Sequence, residues 1–478
     1  MAVETKRLAG IKPRHAEHED DPREHLMHDP LPRQEMNDLV MEAMHETNFQ
    51  YWAVVGVLAL VVAVCLFGAW GYMIFTGMGV AGTNRPVFWG LFISTFIFWI
   101  GISHAGTFVS AILRVFKAEF RRPFTRAAEL MTTFGLAAGA IYPLIHLGRV
   151  WTFYYMVPYP NQRALWPNFH SPLVWDLVAI TTYLLGSTMY LFLPLIPDVA
   201  MARDRSSGWR YRLYKVLALG WRGTESEWKH LNAAIKIFAW VIIPVMFSVH
   251  TIVSWDMAVS MTPGWHSTIF GPFFIAGAVF SGVSAVSMVL FIIQLSMPKL
   301  RYFIRGEHFD ALGKLVLVFS FVWAYFYFNE IMVEWYGGEA AHHALMDYIM
   351  RGPYSWMWYL MLFCNLAVPM LLWSKRIRRN PWTMFVIAFF INVGMYIERV
   401  IIVPITLSRG RFAFDWGDYQ PRIEIPIAIG SLALFLLLYA LASRVIPLIP
   451  VWEVQEGQMA HSLKKVGKAE VPSLAEIE

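Results

Sequence analysis

Long apolar runs of this sequence are interrupted by titratable side chains: His104, His146, Asp176, Asp198, His250, Asp256, Glu330, Glu334, Glu398 and Arg399. A charged group inside hydrocarbon costs several kcal/mol unless it is paired or watered, so these residues carry the most information in the chain. An imidazole or a carboxylate that is neutral or readily protonated near pH 7 can accept a phenolic proton. Oxidation of a hydroquinone releases two protons and two electrons. It needs such acceptors at the ring oxygens and an apolar slot for ring and tail. Tyr142, Phe169, Trp175 and Trp255 would wall a slot of that kind. Prolines at 143, 172, 244 and 263 would open it by interrupting helical hydrogen bonding.

Each residue also has a plainer reading. Glu398 and Arg399 would serve as a structural pair, and Glu334 would reach a headgroup region. His104 and His250 would donate to backbone carbonyls, and His266 reads as a surface loop residue. Asp176 and Asp256 resist such readings, because an isolated carboxylate in a span needs a partner or a proton. His146, near the end of its apolar run, stands with them.

The elements that hold these residues follow from composition. The chain has 478 residues, 57% hydrophobic and 15% charged, against about 45–50% and about 25% for ordinary soluble domains. Mean hydropathy is +0.46. A disordered chain and a single soluble globule are both excluded. Ten runs are long enough to cross about 30 Å of hydrocarbon: residues 50–77, 87–113, 128–150, 171–197, 234–261, 268–297, 314–336, 355–374, 382–407 and 423–446. The runs are continuous rather than alternating, so helices rather than barrel strands are expected. The expected fold is an all-α polytopic membrane protein. Two four-helix bundles, spans 2–5 and 6–9, would be flanked by spans 1 and 10. Span 2 and span 6 both begin Phe-rich and run into small residues (Ser103, Ala105, Gly106; Ser281, Gly282, Ser284, Ala285), which permit close helix approach. This suggests a parallel internal repeat.

Of the 39 Lys and Arg residues, 30 fall in the two terminal segments and every second loop, and seven in the intervening loops. The positive-inside rule places both termini in the cytoplasm. It also accounts for the net charge of +5 without nucleic acid. Residues 1–48 read as a polar cytoplasmic arm with no signal peptide, with Leu39–Asn48 as a short amphipathic helix. Residues 49–450 form the membrane domain. Residues 198–232 read as an interfacial helical region with Trp209, Trp221 and Trp228 at headgroup level. Residues 451–478 read as a solvated cytoplasmic tail. By this topology most of the intramembrane titratable residues lie in the outer half, with His104 near mid-depth and Asp198 at the inner end.

Cys65 and Cys364 are the only cysteines. They cannot by themselves hold an iron–sulfur cluster or a structural zinc, and no metal site is expected. A bis-His haem would need facing histidines at matched depth. His146 and His250 are the one candidate pair, but a proton-handling role explains the same residues, so no haem is expected. Electrons from a hydroquinone would then leave through a partner.

The stretches Ile102-Ser103-His104-Ala105-Gly106-Thr107, Ile145-His146-Leu147-Gly148-Arg149 and Val249-His250-Thr251-Ile252-Val253-Ser254-Trp255-Asp256, together with the ten-span length, resemble the NrfD/PsrC family of polysulfide reductase membrane subunits. Within it they look most like the larger quinol-binding subunit of bacterial alternative complex III. The resemblance covers roughly residues 50–450. It implies a quinol site near the periplasmic face for menaquinol or ubiquinol, with no cofactor in the chain itself. It implies partners as well: c-type haem subunits, a periplasmic iron–sulfur subunit, a paralogous membrane subunit and a terminal oxidase, besides lipids. By position it assigns quinol contact and proton acceptance to His146 and Asp176 with Asp256, joined by His250, Arg399, Tyr142 and Trp175. A proton route would draw on His104, Asp198, Glu330 and Glu398. A proton or ion transporter and a haem-binding membrane cytochrome are the competing classes.

Overall fold

The computed structural model describes residues 31–83, 87–157, 169–408, 420–461, 463–466 and 469–472. The expected polar arm over residues 1–30, the last residues of the tail, and Arg85, Arg163, Arg409 and Arg411 lie outside them.

Among the described residues ten helices are long and apolar enough to cross a membrane, one for each expected run. A preceding helix, α1 (Arg33–His45), leads into the spans. These are α2 (Phe49–Thr76), α3 (Gly90–Val115), α4 (Glu119–His146), α5 (Pro172–Asp204), α7 (Glu225–Ala258), α8 (Phe270–Ser296), α9 (Gly306–Gly337), α11 (Ser355–Trp373), α12 (Pro381–Ser408) and α13 (Glu424–Ala442). Shorter helices are α6 (Gly208–Leu217), α10 (Ala340–Arg351) and α14 (Val451–His461). A small antiparallel hairpin, β1 (Leu463–Val466) with β2 (Ala469–Pro472), follows. Helices α4, α5, α7 and α9 extend past their apolar runs at the end where basic residues gather. Hydropathy sees only the part of a helix in hydrocarbon, whereas capping sets its real start. Thr224 and Glu227 form a reciprocal cap on α7. Pro172 begins α5, and at α12 Pro381 follows an Asn380 cap that accepts from the Trp382 amide.

Helices α3 and α8 lie at the centre: 83% and 78% of their apolar windows are inside the protein, against 11% for α2. They meet through the small residues expected to permit it. A Cβ on Gly282 would sit 2.3 Å from the Cβ of Ala105. One on Gly106 would sit 2.0 Å from the Ala128 carbonyl oxygen of α4. Around this crossing α4 packs on α3, α5 on α7, and α9 and α12 on α8. Helix α2 packs chiefly on α13, where a Cβ on Gly430 would lie 2.5 Å from the Leu66 amide nitrogen.

The basic end is tightly closed, which corrects the reading of a solvated tail. Val451, Glu453, Val454 and Gln455 of α14 are buried. Glu453 meets Arg114 at 2.6 Å and Arg121 at 2.7 Å, and Arg122 donates to the Glu453 carbonyl at 3.0 Å. Arg126 pairs with Asp198 at 3.1 Å and donates to the Pro194 carbonyl. Trp452 then donates to both Asp198 and Pro194. Trp228 packs on Trp452 and on Trp221, and Trp209 is the exposed one of the three expected interfacial tryptophans. On α1 the buried face is Met36, Asn37, Val40, Met41, Ala43 and Met44. That helix begins earlier than its apolar sequence signal because Arg33 and Glu35 face outward.

Burial alone would raise the Glu453 carboxyl, but the Arg114 and Arg121 guanidinium groups outweigh it and hold the group down at about 2. A depressed folded value means that this stabilisation is present above the ordinary value of 4.5 and is lost as pH falls from there towards about 2. Protease accessibility of α14 should therefore rise on acidification only below pH 4.5. Glu453→Gln should release α14 at neutral pH, costing about 3–5 kcal/mol because the Arg114 and Arg121 guanidinium groups lose their charged partner. For the central crossing, Gly106→Ala should lower the detergent-solubilised melting temperature by an amount matching about 1–3 kcal/mol of overpacking. Gly56→Ala, whose Cβ meets nothing within 4 Å, should not.

Candidate functional site

The two carboxylates that resisted a plain reading come together. Asp176, in the first turns of α5, and Asp256, in the last turn of α7, lie close enough for their carboxyl groups to interact. Two carboxylates have acceptors alone, so the pair needs a proton to form a hydrogen bond between them. The Oδ1 atom of each residue is buried with no other hydrogen-bond partner. Beside them Trp175 and Trp255 meet edge to face, centroids 6.2 Å apart, each more than a third exposed. The Trp175 indole donates to the Phe169 carbonyl at 2.6 Å, which fixes its ring.

His146, at the last residue of α4, packs edge to face with Phe92, and its Nδ1 is buried without a partner. Tyr142, one turn earlier, faces elsewhere: its hydroxyl donates to Ser431 of α13 at 2.8 Å. The other contact of α13 with this end was missed from sequence. Glu424, 1% exposed, accepts from the Leu91 amide and so caps the start of α3.

Deeper in, the structure pairs two histidines that the sequence separated. The His104 ring of α3 and the His250 ring of α7 are 4.5 Å apart, centre to centre. His104 Nδ1 lies 2.6 Å from the Ile100 carbonyl and Nε2 2.9 Å from the Met246 carbonyl. A neutral imidazole has one N–H to give, so one of these contacts lacks its proton unless the ring is doubly protonated. Neither nitrogen of His250 has a partner. The two rings are in direct contact, and Phe274 is the other ring neighbour of His250.

Phe274 leads to the second group. The Arg399 guanidinium carbon lies 4.6 Å from its ring centroid, over bare backbone at Gly277. Arg399 is 3.3 Å from Glu398, to which the Trp323 indole donates at 2.7 Å. Trp323 stacks on Tyr327, whose hydroxyl accepts from Trp358. Glu330 accepts from Ser267 at 2.7 Å, and it borders a cavity of about 70 Å³ with Glu334 and Tyr327. Trp323, Tyr327, Glu330 and Glu334 recur at helical spacing along one face of α9, a signal present in the sequence but unused. Asp198 stands apart, held by Arg126 at the basic end.

A cleft of about 760 Å³ lies at the basic end between α2, α8 and α13. Its walls are aliphatic, among them Val54, Leu58, Val289 and Leu436. Its polar rim is already paired: Lys299 with Glu42 and Glu46, Tyr51 with the Ala440 carbonyl, and Arg444 with the Ala43 carbonyl. It offers an acyl chain a slot, but not a free proton acceptor.

The buried pair can be tested directly. Arg399→Leu leaves Glu398 uncompensated and should cost about 3–5 kcal/mol, whereas Glu398→Gln combined with Arg399→Leu should recover part of that loss. Thermal melts of the two variants check this.

Comparison with known proteins places most of the chain. The family model described as "Polysulphide reductase, NrfD" matches residues 79–408. A putative membrane subunit of a dimethyl sulfoxide reductase from Halobacterium salinarum is 25% identical, over 82% of this chain and 90% of its own. The Hdr-like menaquinol oxidoreductase integral membrane subunit of Archaeoglobus fulgidus is 21% identical, over 86% and 96%. A selenate reductase subunit of Mesobacillus selenatarsenatis is also 21% identical, over 85% and 95%. A match across more than half of the sequence, on ten membrane-length helices, is decisive: the chain is a multi-pass membrane protein that belongs to the NrfD polysulphide reductase family.

Proposed function

We propose that this chain is the quinol-oxidising membrane subunit of a respiratory oxidoreductase of the alternative complex III type. The observation that carries the reading is the pairing of the Asp176 and Asp256 carboxyl groups, whose Oδ1 atoms are buried without another partner, with two half-exposed tryptophans alongside. A quinol hydroxyl donating to a free Oδ1 would satisfy it, and the pair can take up a proton into its unprotonated member. His146 Nδ1, also orphaned, is the acceptor for the second hydroxyl. Trp175 and Trp255 hold the ring and keep water from it. The two electrons leave to a partner on the same face, an iron–sulfur subunit followed by c-type haem subunits. The loop-charge asymmetry supports a periplasmic position for this face. Support also comes from the relatives, whose names describe a menaquinol oxidoreductase and two reductase subunits.

Protons released at the acid pair have a second set of buried groups within the protein: His250 and His104, then Arg399 and Glu398, with Glu330 and Glu334 near the same end. A transporter without redox chemistry fits less well. Its acids would sit at the midplane, whereas this pair joins the first turns of α5 to the last turn of α7.

Asp176→Asn and His146→Ala should each slow quinol oxidation by the assembled complex on the order of 100-fold, the lower range for a lost general base. Normal turnover in both assembled variants would remove these residues from the site. Glu398→Gln should alter the protons released per quinol while quinol still binds, and an unchanged stoichiometry would exclude Glu398 from proton movement.

A further inference from the structure

At the same end of the helices, two connections that no redox step uses bring three metal-binding side chains together. His266 lies in the segment between α7 and α8. Glu339 and His342 lie at the start of α10, between α9 and α11. One donor atom from each falls within 4.8 Å of the others. The His266 and His342 rings are 5.3 Å apart, and His342 Nε2 is 3.8 Å from Glu339 Oε2. His266 and Glu339 are exposed, but His342 is only 7% exposed, and its Nε2 is buried with no hydrogen-bond partner. A buried imidazole nitrogen aimed at a second imidazole and a carboxylate lacks anything to satisfy it in the protein alone.

We propose that His266, Glu339 and His342 form a three-ligand site for a divalent transition-metal cation of the zinc class. Two imidazoles and one carboxylate suit zinc, whereas calcium and magnesium prefer oxygen alone. Ligand atoms around tetrahedral zinc lie about 3.3 Å apart, given bonds of about 2.0–2.1 Å. The donors must therefore close by about 0.5 Å between His342 and Glu339 and by at most about 1.5 Å elsewhere. Two of the three side chains are exposed and free to do this, and a water completes the shell. The cation joins the α7–α8 segment to α10. His266 directly precedes Ser267, whose hydroxyl donates to Glu330, and Gly264 of the same segment packs on Leu345 of α10. Metal occupancy therefore fixes the lid over the small cavity that Glu330 and Glu334 border.

The test uses the intact purified complex, stripped with a chelator, reloaded with one equivalent of zinc chloride, desalted and measured for zinc by mass spectrometry. The same protocol is applied to complexes carrying His266→Gln, Glu339→Gln or His342→Gln. Subtracting variant from wild type removes zinc held by partner subunits. The expected result is one zinc per chain lost in His266→Gln and His342→Gln, and at least tenfold weaker retention in Glu339→Gln. His266 and Glu339 are surface side chains, so their variants decide the matter even where His342→Gln fails to assemble. Equal zinc content in the wild type and in both surface variants would overturn the site.

Discussion

No water is available inside a bilayer, so each polar side chain that enters must find its partner within the protein. That constraint organises this molecule. It draws Arg126 onto Asp198, Glu398 onto Arg399 and Trp323, and Asp176 onto Asp256. The buried groups are therefore arranged in pairs that cross between helices and hold those helices in register.

Close packing makes the pairs possible. Ala105 against Gly282, and Gly106 against Ala128, let α3 run against both α8 and α4 with little side-chain volume between them. His104 is thereby brought against His250 of α7. Farther along α8, bare backbone at Gly277 leaves space for the Arg399 guanidinium, which Phe274 covers. The small residues are thus the reason that a connected set of polar groups fits inside an otherwise apolar core.

Buried polar atoms without a hydrogen-bond partner occur at both ends. At the basic end they lie on Arg114, Arg121, Arg126 and Glu129, each of which stands in an ion pair: Glu453 with Arg114 and Arg121, and Arg126 with Asp198 and Glu129. At the other end they lie on His146, Asp176, Asp256 and His342, which stand in no ion pair with Lys or Arg among the described residues. Protein interiors rarely tolerate such atoms, so these are the groups that something outside the chain would satisfy.

The sequence by itself determined the number of spans, their helical character and the identity of the acids that need a partner. All three follow from local composition and from the cost of burying charge. It also exposed the small residues of α3 and α8, whereas the helical spacing of Trp323, Tyr327, Glu330 and Glu334 on α9 was a signal left unused. It failed on the tail, because Glu453 looks like any polar residue until three arginines from other segments surround it. It also failed to join His104 to His250, to cap α3 with Glu424, and to bring His266 near Glu339 and His342. Those contacts link residues on different helices or loops, and no short-range spacing encodes them. Only the tertiary structure decided them, because interhelical distance, rotation and depth are set by how the small-residue crossings lock together.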